Sequence, residues 1–175
     1  MNLSRSSGQW APDLHWLTDQ LAVGGSFPCE KASDLAEFHG VGAVIDLRSE
    51  SCDDRALLSA AGISFLHLPT PDMLAASVAM LDRGVDFARQ EIADGKRLLV
   101  HCQHGVGRSA LLALCIMVDQ GMAPLDALRQ AKDRRSCISP SAEQYQGWAD
   151  WLARHGHSAP DYHSFGCVAY RHLAQ

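Results

Sequence analysis

The chain has 175 residues, of which 47% are hydrophobic and 20% charged, and it carries a net charge of −5 at pH 7. This length and composition are typical of one globular domain with its own core, and they argue against a second domain. The weakly acidic balance lacks the basic footprint of nucleic-acid-binding proteins, so we expect no nucleic-acid partner. We place the domain at residues 9–175 and interpret the polar, serine-rich residues 1–8 as a flexible terminus.

Apolar periodicity and turn residues predict strands that alternate with helices along the chain. The predicted strands cover 14–17, 21–23, 43–47, 63–68 and 97–100. The predicted helices cover 31–39, 53–61, 74–94, 109–120, 124–134 and 140–154, and the pattern beyond 154 leaves the structure open. Asp53 is the predicted cap of the second helix, and Ser139-Pro140 opens the last one. Such alternation implies an α/β fold with a central, mostly parallel sheet of four to five strands flanked by helices.

Six cysteines are scattered through the chain without a Cys-x-x-Cys pair: Cys29, Cys52, Cys102, Cys115, Cys137 and Cys167. Their spacing argues against a disulfide framework or a zinc site, and it indicates a reducing compartment. No apolar run approaches the roughly 20 residues of a membrane span, and no polybasic run would hold the chain on an anionic membrane. We therefore expect a cytoplasmic protein without stable membrane association, with a monomer as the default state.

A loop with two glycines joins the last predicted strand to an apolar helix. Five residues separate Cys102 from Arg108 in it, namely Gln103, His104, Gly105, Val106 and Gly107. This spacing lets the loop curl so that its backbone N–H groups point at one oxyanion, at the N-terminus of the helix. The same position lowers the pKa of the Cys102 thiol, and the Arg108 guanidinium can hold two phosphate oxygens. The sequence therefore predicts a phosphate-binding loop with its own nucleophile. The alternative is a buried, inert Cys102 in an ordinary strand-to-helix turn.

The run His101-Cys102, five residues and Arg108-Ser109 resembles the signature of the cysteine-dependent protein tyrosine phosphatases, and short chains of this kind resemble their dual-specificity branch. The resemblance rests on nine residues in the order strand, His-Cys, glycines, Arg-Ser and helix. It implies the fold of that superfamily, a single phosphatase domain and a phosphocysteine intermediate on Cys102. It also implies that residues 103–108 bind the phosphate and that the reaction needs no metal or cofactor.

Asp72 lies 30 residues before Cys102, on a loop that contains Pro69 and Pro71. Its place resembles the acid loop of the same family. We therefore predict that Asp72 protonates the leaving oxygen and then activates water, on a loop that can close over the site. The alternative is a turn residue that caps the helix after Pro71.

Other residues near the loop have predicted supporting roles. The Ser109 hydroxyl is predicted to donate to the leaving thiolate; the alternative is a helix cap only, and the two roles are compatible. His101, on the buried strand, is predicted to shape the loop by hydrogen bonding rather than to carry a proton. Asp46, with Arg48, either supports the loop from the neighbouring strand or forms a structural ion pair. His104 either faces the pocket mouth, adding positive charge at mildly acid pH, or fills space.

The favoured substrate is a phosphorylated protein or peptide, with phosphotyrosine ahead of phosphoserine and phosphothreonine. Arg108 is the only fixed side-chain charge in the loop, so the site can neutralise one phosphate. The alternative is a lipid phosphate monoester, such as phosphatidylglycerophosphate or a phosphoinositide. Two further classes stay open: a rhodanese-type sulfurtransferase, which also places a cysteine in an anion-binding loop, and a non-catalytic phosphoprotein-binding module.

Overall fold

The computed structural model describes residues 10–173, which form one five-stranded sheet with helices on both faces. The strands are β1 (Leu14–Trp16), β2 (Leu21–Gly24), β3 (Val41–Arg48), β4 (Ser64–Thr70) and β5 (Arg97–His101). The α-helices are α1 (Ala32–His39), α2 (Arg55–Ala60), α3 (Val78–Ala93), α4 (Arg108–Asp119), α5 (Pro124–Arg134), α6 (Ala142–Arg154) and α7 (Tyr162–Ala169). Short 3-10 turns cover Cys29–Lys31 and Arg171–Leu173. The flexible terminus predicted at residues 1–8 lies outside the described residues.

The sheet order is β1-β2-β5-β3-β4, with β5 at the centre. β5 pairs in parallel with β2 and β3, β4 pairs in parallel with β3, and β1 is antiparallel to β2. The predicted α/β class with a mostly parallel sheet is therefore confirmed, with five strands. Parallel strands end at one edge, so the loops that follow β3, β4 and β5 meet there. This is the edge at which such sheets bind ligands.

The helix α4 is buried from Arg108 to Val118. It contacts the sheet and the helices α3, α5 and α6, which explains why its sequence is apolar on every side. Gly84 of α3 permits a close approach, because a side-chain carbon there would lie 2.7 Å from Leu112 of α4. A smaller core packs α1 and α2 against the opposite face of the sheet. Within residues 10–173, none of the helices combines the length and the apolar character that a membrane crossing requires.

α2 and α3 begin later than predicted, each directly after the polar residue that caps it. α3 begins at Val78 rather than at 74, since the Ser77 hydroxyl accepts a hydrogen bond from a backbone N–H of the first turn. α2 is capped by Asp54, whose carboxylate accepts from two N–H groups of the first turn, and not by Asp53 as predicted. Adjacent aspartates offer the same cap signal in the sequence. Only the one next to the helix reaches those N–H groups.

The last two helices complete the larger core. α6 is capped by Ser141, which forms a reciprocal capping box with Gln144, so the predicted opening at Ser139-Pro140 lies too early. α7 occupies the segment that the sequence left open. Its buried Phe165 packs on Trp148 of α6, with ring centroids 6.2 Å apart.

Candidate active site

The predicted phosphate-binding loop lies at the ligand-binding edge of the sheet. Cys102 directly follows the central strand β5, and Arg108 is the first residue of α4. Gly107 is the N-cap residue of α4, and no side chain there bonds the N–H groups of the first turn. Ser109 is the second helical residue, so the alternative that it caps α4 is wrong.

Four successive carbonyl groups of this loop, in residues 103–106, accept hydrogen bonds from outside it. The Ser26 N–H bonds the first of them at 3.1 Å, and the Ser139 N–H bonds the last at 3.0 Å. The guanidinium of Arg135 bonds the two between them, at 2.9 Å each. Because the C=O and N–H of a peptide unit point in opposite directions, carbonyls fixed on the outside turn the N–H groups towards the inside of the loop.

Arg135 is therefore a buried support for the loop, and the sequence analysis missed it. Only 2% of this residue is exposed, and Asp13 accepts from two of its guanidinium nitrogens at 2.8 and 2.9 Å. The hydrogen bond from Arg135 holds the pKa of Asp13 below its ordinary value. Arg135 follows the end of α5, in a stretch whose pattern indicates only a helix terminus, so no sequence signal points to this role.

Both loop glycines lie in close contact with a neighbouring element, and the backbone conformation of Gly105 requires glycine. Gly105 has a φ of +64°, and a side-chain carbon there would lie 2.5 Å from the backbone of Gly24. A side-chain carbon on Gly107 would collide with the amide of Gln144. The loop thus closes against β2 on one side and α6 on the other, as only glycine allows.

The Cys102 thiol lies at the bottom of this loop and is 3% exposed. Its sulfur is 3.3 Å from the Ser109 hydroxyl oxygen. Burial opposes ionisation of the thiol, but hydrogen bonds from the Ser109 hydroxyl and from the backbone N–H groups of Ser109, Gly105 and His104 outweigh it. Together they lower the pKa of Cys102 below that of an ordinary thiol.

A carboxylate that the sequence analysis did not single out, Glu50, holds the Arg108 guanidinium. The Nη1 and Nη2 groups of Arg108 each donate to one oxygen of Glu50 at 2.8 Å, and Nη1 also donates to the carbonyl of Thr70 at 3.0 Å. The hydrogen bonds from Arg108 lower the pKa of Glu50 to about 2. Glu50 follows β3 by two residues, so its position at the ligand-binding edge is the one signal that could have found it.

These bonds leave one edge of the Arg108 guanidinium free. Both hydrogens of Nη1 are used, and Nη2 donates once, so the second hydrogen of Nη2 and that of Nε remain. The buried Nε has no hydrogen-bond partner among residues 10–173. A planar pair of donors of this kind matches two oxygens of a phosphate.

Asp72 lies beside that free edge, with its Oδ1 3.4 Å from the Arg108 Nε. It lies in the loop after β4 with 74% of its side chain exposed, and it does not cap a helix, because α3 begins at Val78 with Ser77 as its cap. A cavity of about 220 Å³ opens above the sulfur. The lining residues are Asp72, Met73, Cys102, His104, Val106, Gly107, Arg108, Ser139 and Gln144.

His104 is exposed and lies on the wall of this cavity. Of the two interpretations left open for it, the position at the pocket mouth fits the structure and the space-filling role does not.

Behind the loop, His101 belongs to a fully buried polar network. Its Nε2 lies 2.6 Å from Asp53 Oδ2, and its Nδ1 lies 3.3 Å from the carbonyl oxygen of Cys102. Asp46 binds Arg48 through both carboxylate oxygens and lies 3.9 Å from His101. Asp53, which the sequence analysis took for a helix cap, is thus the direct partner of His101. Of the two interpretations left open for Asp46, the structural ion pair with Arg48 fits the structure. Asp46 supports the loop only indirectly, through the residues next to it.

Two groups of side chains within the described range bring potential metal ligands together: Asp46, Asp53 and His101, and Asp46, Cys52 and His67. In both, the groups are already engaged. Arg48 donates to Asp46 and to Asp53, and the Nε2 of His67 lies 2.7 Å from the carbonyl oxygen of Arg48. The two carboxylates of the first group are thus already paired with the Arg48 guanidinium.

The arrangement matches a known family. The family model of the dual specificity phosphatase catalytic domain matches residues 25–151. The chain belongs to the dual-specificity phosphatase family. This family lies within the cysteine-dependent protein tyrosine phosphatase superfamily, as the signature around Cys102 implied. The family assignment rules out the sulfurtransferase interpretation.

Relatives of this phosphatase include protein and lipid phosphatases. Dual specificity protein phosphatase 8 of Mus musculus is 32% identical over 110 residues, which are 62% of this chain and 16% of that protein. Phosphatidylglycerophosphate phosphatase PTPMT2 of Arabidopsis thaliana is 33% identical over 104 residues, 58% of this chain and 46% of that protein. The crystal structure of PTPMT1 is 25% identical with a TM-score of 0.74, covering 82% of this chain and 98% of that one. The matching part thus spans less than half of either curated relative. The structural match to PTPMT1 confirms the predicted phosphatase-like fold.

Proposed function

We propose that this phosphatase hydrolyses phosphate monoesters in two steps through a phosphocysteine on Cys102. In the first step, the Cys102 thiolate attacks phosphorus, the bond from phosphorus to the ester oxygen breaks, and that oxygen takes a proton from Asp72. In the second step, Asp72 takes a proton from water as the water attacks phosphorus. The bond from sulfur to phosphorus then breaks and releases inorganic phosphate and the thiolate.

The observation that carries this proposal is the free, buried edge of the Arg108 guanidinium next to a thiol of lowered pKa. The donors of Nε and Nη2 are suited to two phosphate oxygens, and the inward N–H groups of residues 104–107 are suited to the rest. Charge accumulates on the equatorial oxygens during phosphoryl transfer, so donors fixed in advance stabilise the transition state. The Ser109 hydroxyl, 3.3 Å from the sulfur, donates to the thiolate when it leaves phosphorus.

We further propose that the substrate is a phosphorylated protein side chain, with phosphotyrosine favoured over phosphoserine and phosphothreonine. Arg108 is the only arginine or lysine among the described residues that line the cavity, which suits a single phosphate. The name of the mouse relative, a dual specificity protein phosphatase, agrees with a protein substrate.

The remaining expectations stay part of the proposal: one phosphatase domain over residues 9–175, a monomer, and a cytoplasmic location. All six cysteines lie in the described range, and each of them is a free thiol. Free thiols and a nucleophile that depends on its thiolate are consistent with a reducing compartment.

A lipid phosphate monoester is the second candidate substrate, because PTPMT2 of Arabidopsis thaliana, named a phosphatidylglycerophosphate phosphatase, is as similar in sequence as the protein phosphatase. The same cradle and nucleophile would serve both substrates. The two candidates differ in what surrounds the phosphate and not in the chemistry at phosphorus.

A substrate panel tests the proposal. We expect the wild-type protein to hydrolyse a phosphotyrosyl peptide with a higher kcat/KM than a phosphoseryl peptide or phosphatidylglycerophosphate. We expect Cys102→Ser to lose turnover by about a thousandfold or more while still binding the peptide, because a serine hydroxyl is not ionised at neutral pH. A tenfold preference for the lipid, about 1.4 kcal/mol, overturns the substrate assignment. Turnover by Cys102→Ser near that of wild type overturns the mechanism.

A further inference from the structure

The loop that carries Asp72 lies against one face of α6. Three successive loop residues, Met73, Leu74 and Ala75, meet three positions of α6 spaced by three residues: Ser141, Gln144 and Gly147. The helix repeats every 3.6 residues, so these positions lie along one side of it. We propose that Ser141, Gln144 and Gly147 form an acid-loop seat that positions Asp72 for proton transfer. This inference rests on the proposed role of Asp72.

Ser141 and Gln144 also form the capping box of α6, and each side chain has a hydrogen-bond donor that the box does not use. In the box, the Ser141 hydroxyl accepts from the Gln144 N–H, and the Gln144 carboxamide oxygen accepts from the Ser141 N–H. Both side chains therefore use an acceptor for the cap and keep a donor. The Ser141 hydroxyl donates to the carbonyl of Met73 at 2.6 Å, and the Gln144 amide donates to the carbonyl of Leu74 at 3.2 Å.

The third contact of the seat is steric. A side-chain carbon built on Gly147 would collide with the Cβ of Ala75. Neither atom belongs to a flexible side chain, so only a shift of the loop backbone would relieve that collision. Gly147 is costly in the middle of a helix, and its place under the loop accounts for it.

The backbone of Met73 supports the same conclusion. With a φ of 63°, it is the only non-glycine residue of positive φ in the described part of the chain. A side chain of this size disfavours that conformation, which persists only where the surroundings impose it. The seat bonds the carbonyls of Met73 and Leu74, directly after Asp72, and so holds the turn that points Asp72 towards Arg108.

Three substitutions separate the seat from the cap. Ser141→Asp keeps a good N-cap acceptor and loses the hydroxyl donor, and Gln144→Glu keeps the acceptor of the capping box and loses the amide donor. Gly147→Ala improves the helix and displaces the loop. Ser141→Thr retains both donor and acceptor and serves as the rescue variant. Ser77→Ala is the matched control, because Ser77 caps α3 at the other end of the same loop, and its hydroxyl only accepts there.

The readout is the dependence of kcat on the leaving group. We expect Ser141→Asp and Gly147→Ala to lower kcat for an alkyl phosphate about tenfold or more, while kcat for 4-nitrophenyl phosphate falls less than about twofold, because a nitrophenolate leaves without a proton. Gln144 also lines the phosphate cavity, so Gln144→Glu is expected to slow both esters, and the alkyl ester more. Ser141→Thr and Ser77→Ala are expected to behave as wild type. A uniform negative-charge effect of the new carboxylates would instead raise KM for both esters alike, and Gly147→Ala adds no charge.

A double-mutant cycle with Asp72→Asn decides the question. If the seat acts through Asp72, adding Ser141→Asp or Gly147→Ala to Asp72→Asn slows the alkyl ester no further. Additive losses overturn the inference, and so do single variants that slow both esters equally. If Asp72→Asn itself leaves the rate for the alkyl ester unchanged, it is instead the proposed role of Asp72 that fails.

Discussion

Two loops meet at the carboxyl edge of the sheet, and they are held in different ways. The phosphate loop, residues 102–108, is fixed by four successive carbonyls that accept hydrogen bonds from outside it. The acid loop, residues 71–77, is exposed at Asp72 and Met73, and two of its carbonyls accept hydrogen bonds from side chains about seventy residues further along the chain. Both loops therefore depend on other elements, but the phosphate loop also contains two glycines and leads directly into α4. The acid loop has no glycine, and Met73 adopts its positive φ between the hydrogen bonds from Ser141 and Gln144.

This difference predicts two patterns of damage. Changes in the phosphate loop weaken the binding of the equatorial oxygens, which every substrate shares, so they slow all phosphate esters alike. Changes in the acid loop affect the proton given to the leaving oxygen, so they slow esters of weakly acidic alcohols more than aryl esters.

The largest effect is expected for Arg108→Lys. A lysine ammonium cannot bind two phosphate oxygens in a plane and bond Glu50 at the same time, so kcat/KM should fall about a thousandfold, with alkyl and aryl esters affected equally. Arg129→Lys, on the exposed face of α5, is the matched control and should have wild-type rates. A loss confined to alkyl esters would contradict the assignment of Arg108 to the phosphate.

Asp72→Asn should slow alkyl esters about a hundredfold and aryl esters much less. The pKa of Cys102 is lowered, so the thiolate persists below the range of an ordinary thiol and is lost only as the pH falls through that lowered value, which sets the acid limb of the pH profile. Asp72→Asn should leave this acid limb in place, because it does not touch the thiol or its hydrogen bonds. Equal losses on alkyl and aryl esters would assign the acid to another residue.

The sequence predicted what is local. The glycines around Cys102, the following helix and the spacing to Arg108 are contiguous, so one short stretch specifies the cradle and its family. Arg135 could not be predicted in this way, because it supports the loop across a sequence separation that carries no motif, and the one signal for Glu50 was its place two residues after β3. The prediction that Asp53 caps α2 was wrong for a related reason, since adjacent carboxylates differ only in which of them the fold buries.

The neighbours Asp53 and Asp54 give a matched pair of variants. One oxygen of the Asp53 carboxylate accepts from Arg48, and the other accepts from His101. Asp53→Asn replaces one of these acceptors with a donor inside a buried network. We therefore expect a loss of about 2 kcal/mol in the free energy of unfolding. Asp54→Asn keeps an equally good helix cap and should stay within about 0.5 kcal/mol of wild type. Urea unfolding midpoints measure both. Equal losses would mean that the buried network around Asp53 contributes no more to stability than the helix cap at Asp54.

The smallest effect is expected for Glu50→Gln, which tests whether the carboxylate orients the phosphate clamp. The amide keeps one acceptor for Arg108 and presents a donor to the other nitrogen, so the guanidinium loses one of its two bonds to Glu50. A small rotation of the clamp should lower kcat/KM about tenfold, equally for alkyl and aryl esters, since the phosphate is common to both. A larger loss on alkyl esters would place Glu50 with the acid loop instead.

Acid unfolding supplies an independent measure of the same contact. The hydrogen bonds from Arg108 lower the pKa of Glu50 from 4.5 to about 2, so this group stabilises the folded state above pH 4.5 and loses that contribution as the pH falls towards about 2. Glutamine does not titrate. The difference in the free energy of unfolding between wild type and Glu50→Gln should therefore narrow across this window and stay constant above it. A difference that does not change between pH 2 and pH 5 would show that the carboxylate gains nothing from Arg108 in the folded protein, and the clamp would then owe its orientation to the Thr70 carbonyl alone.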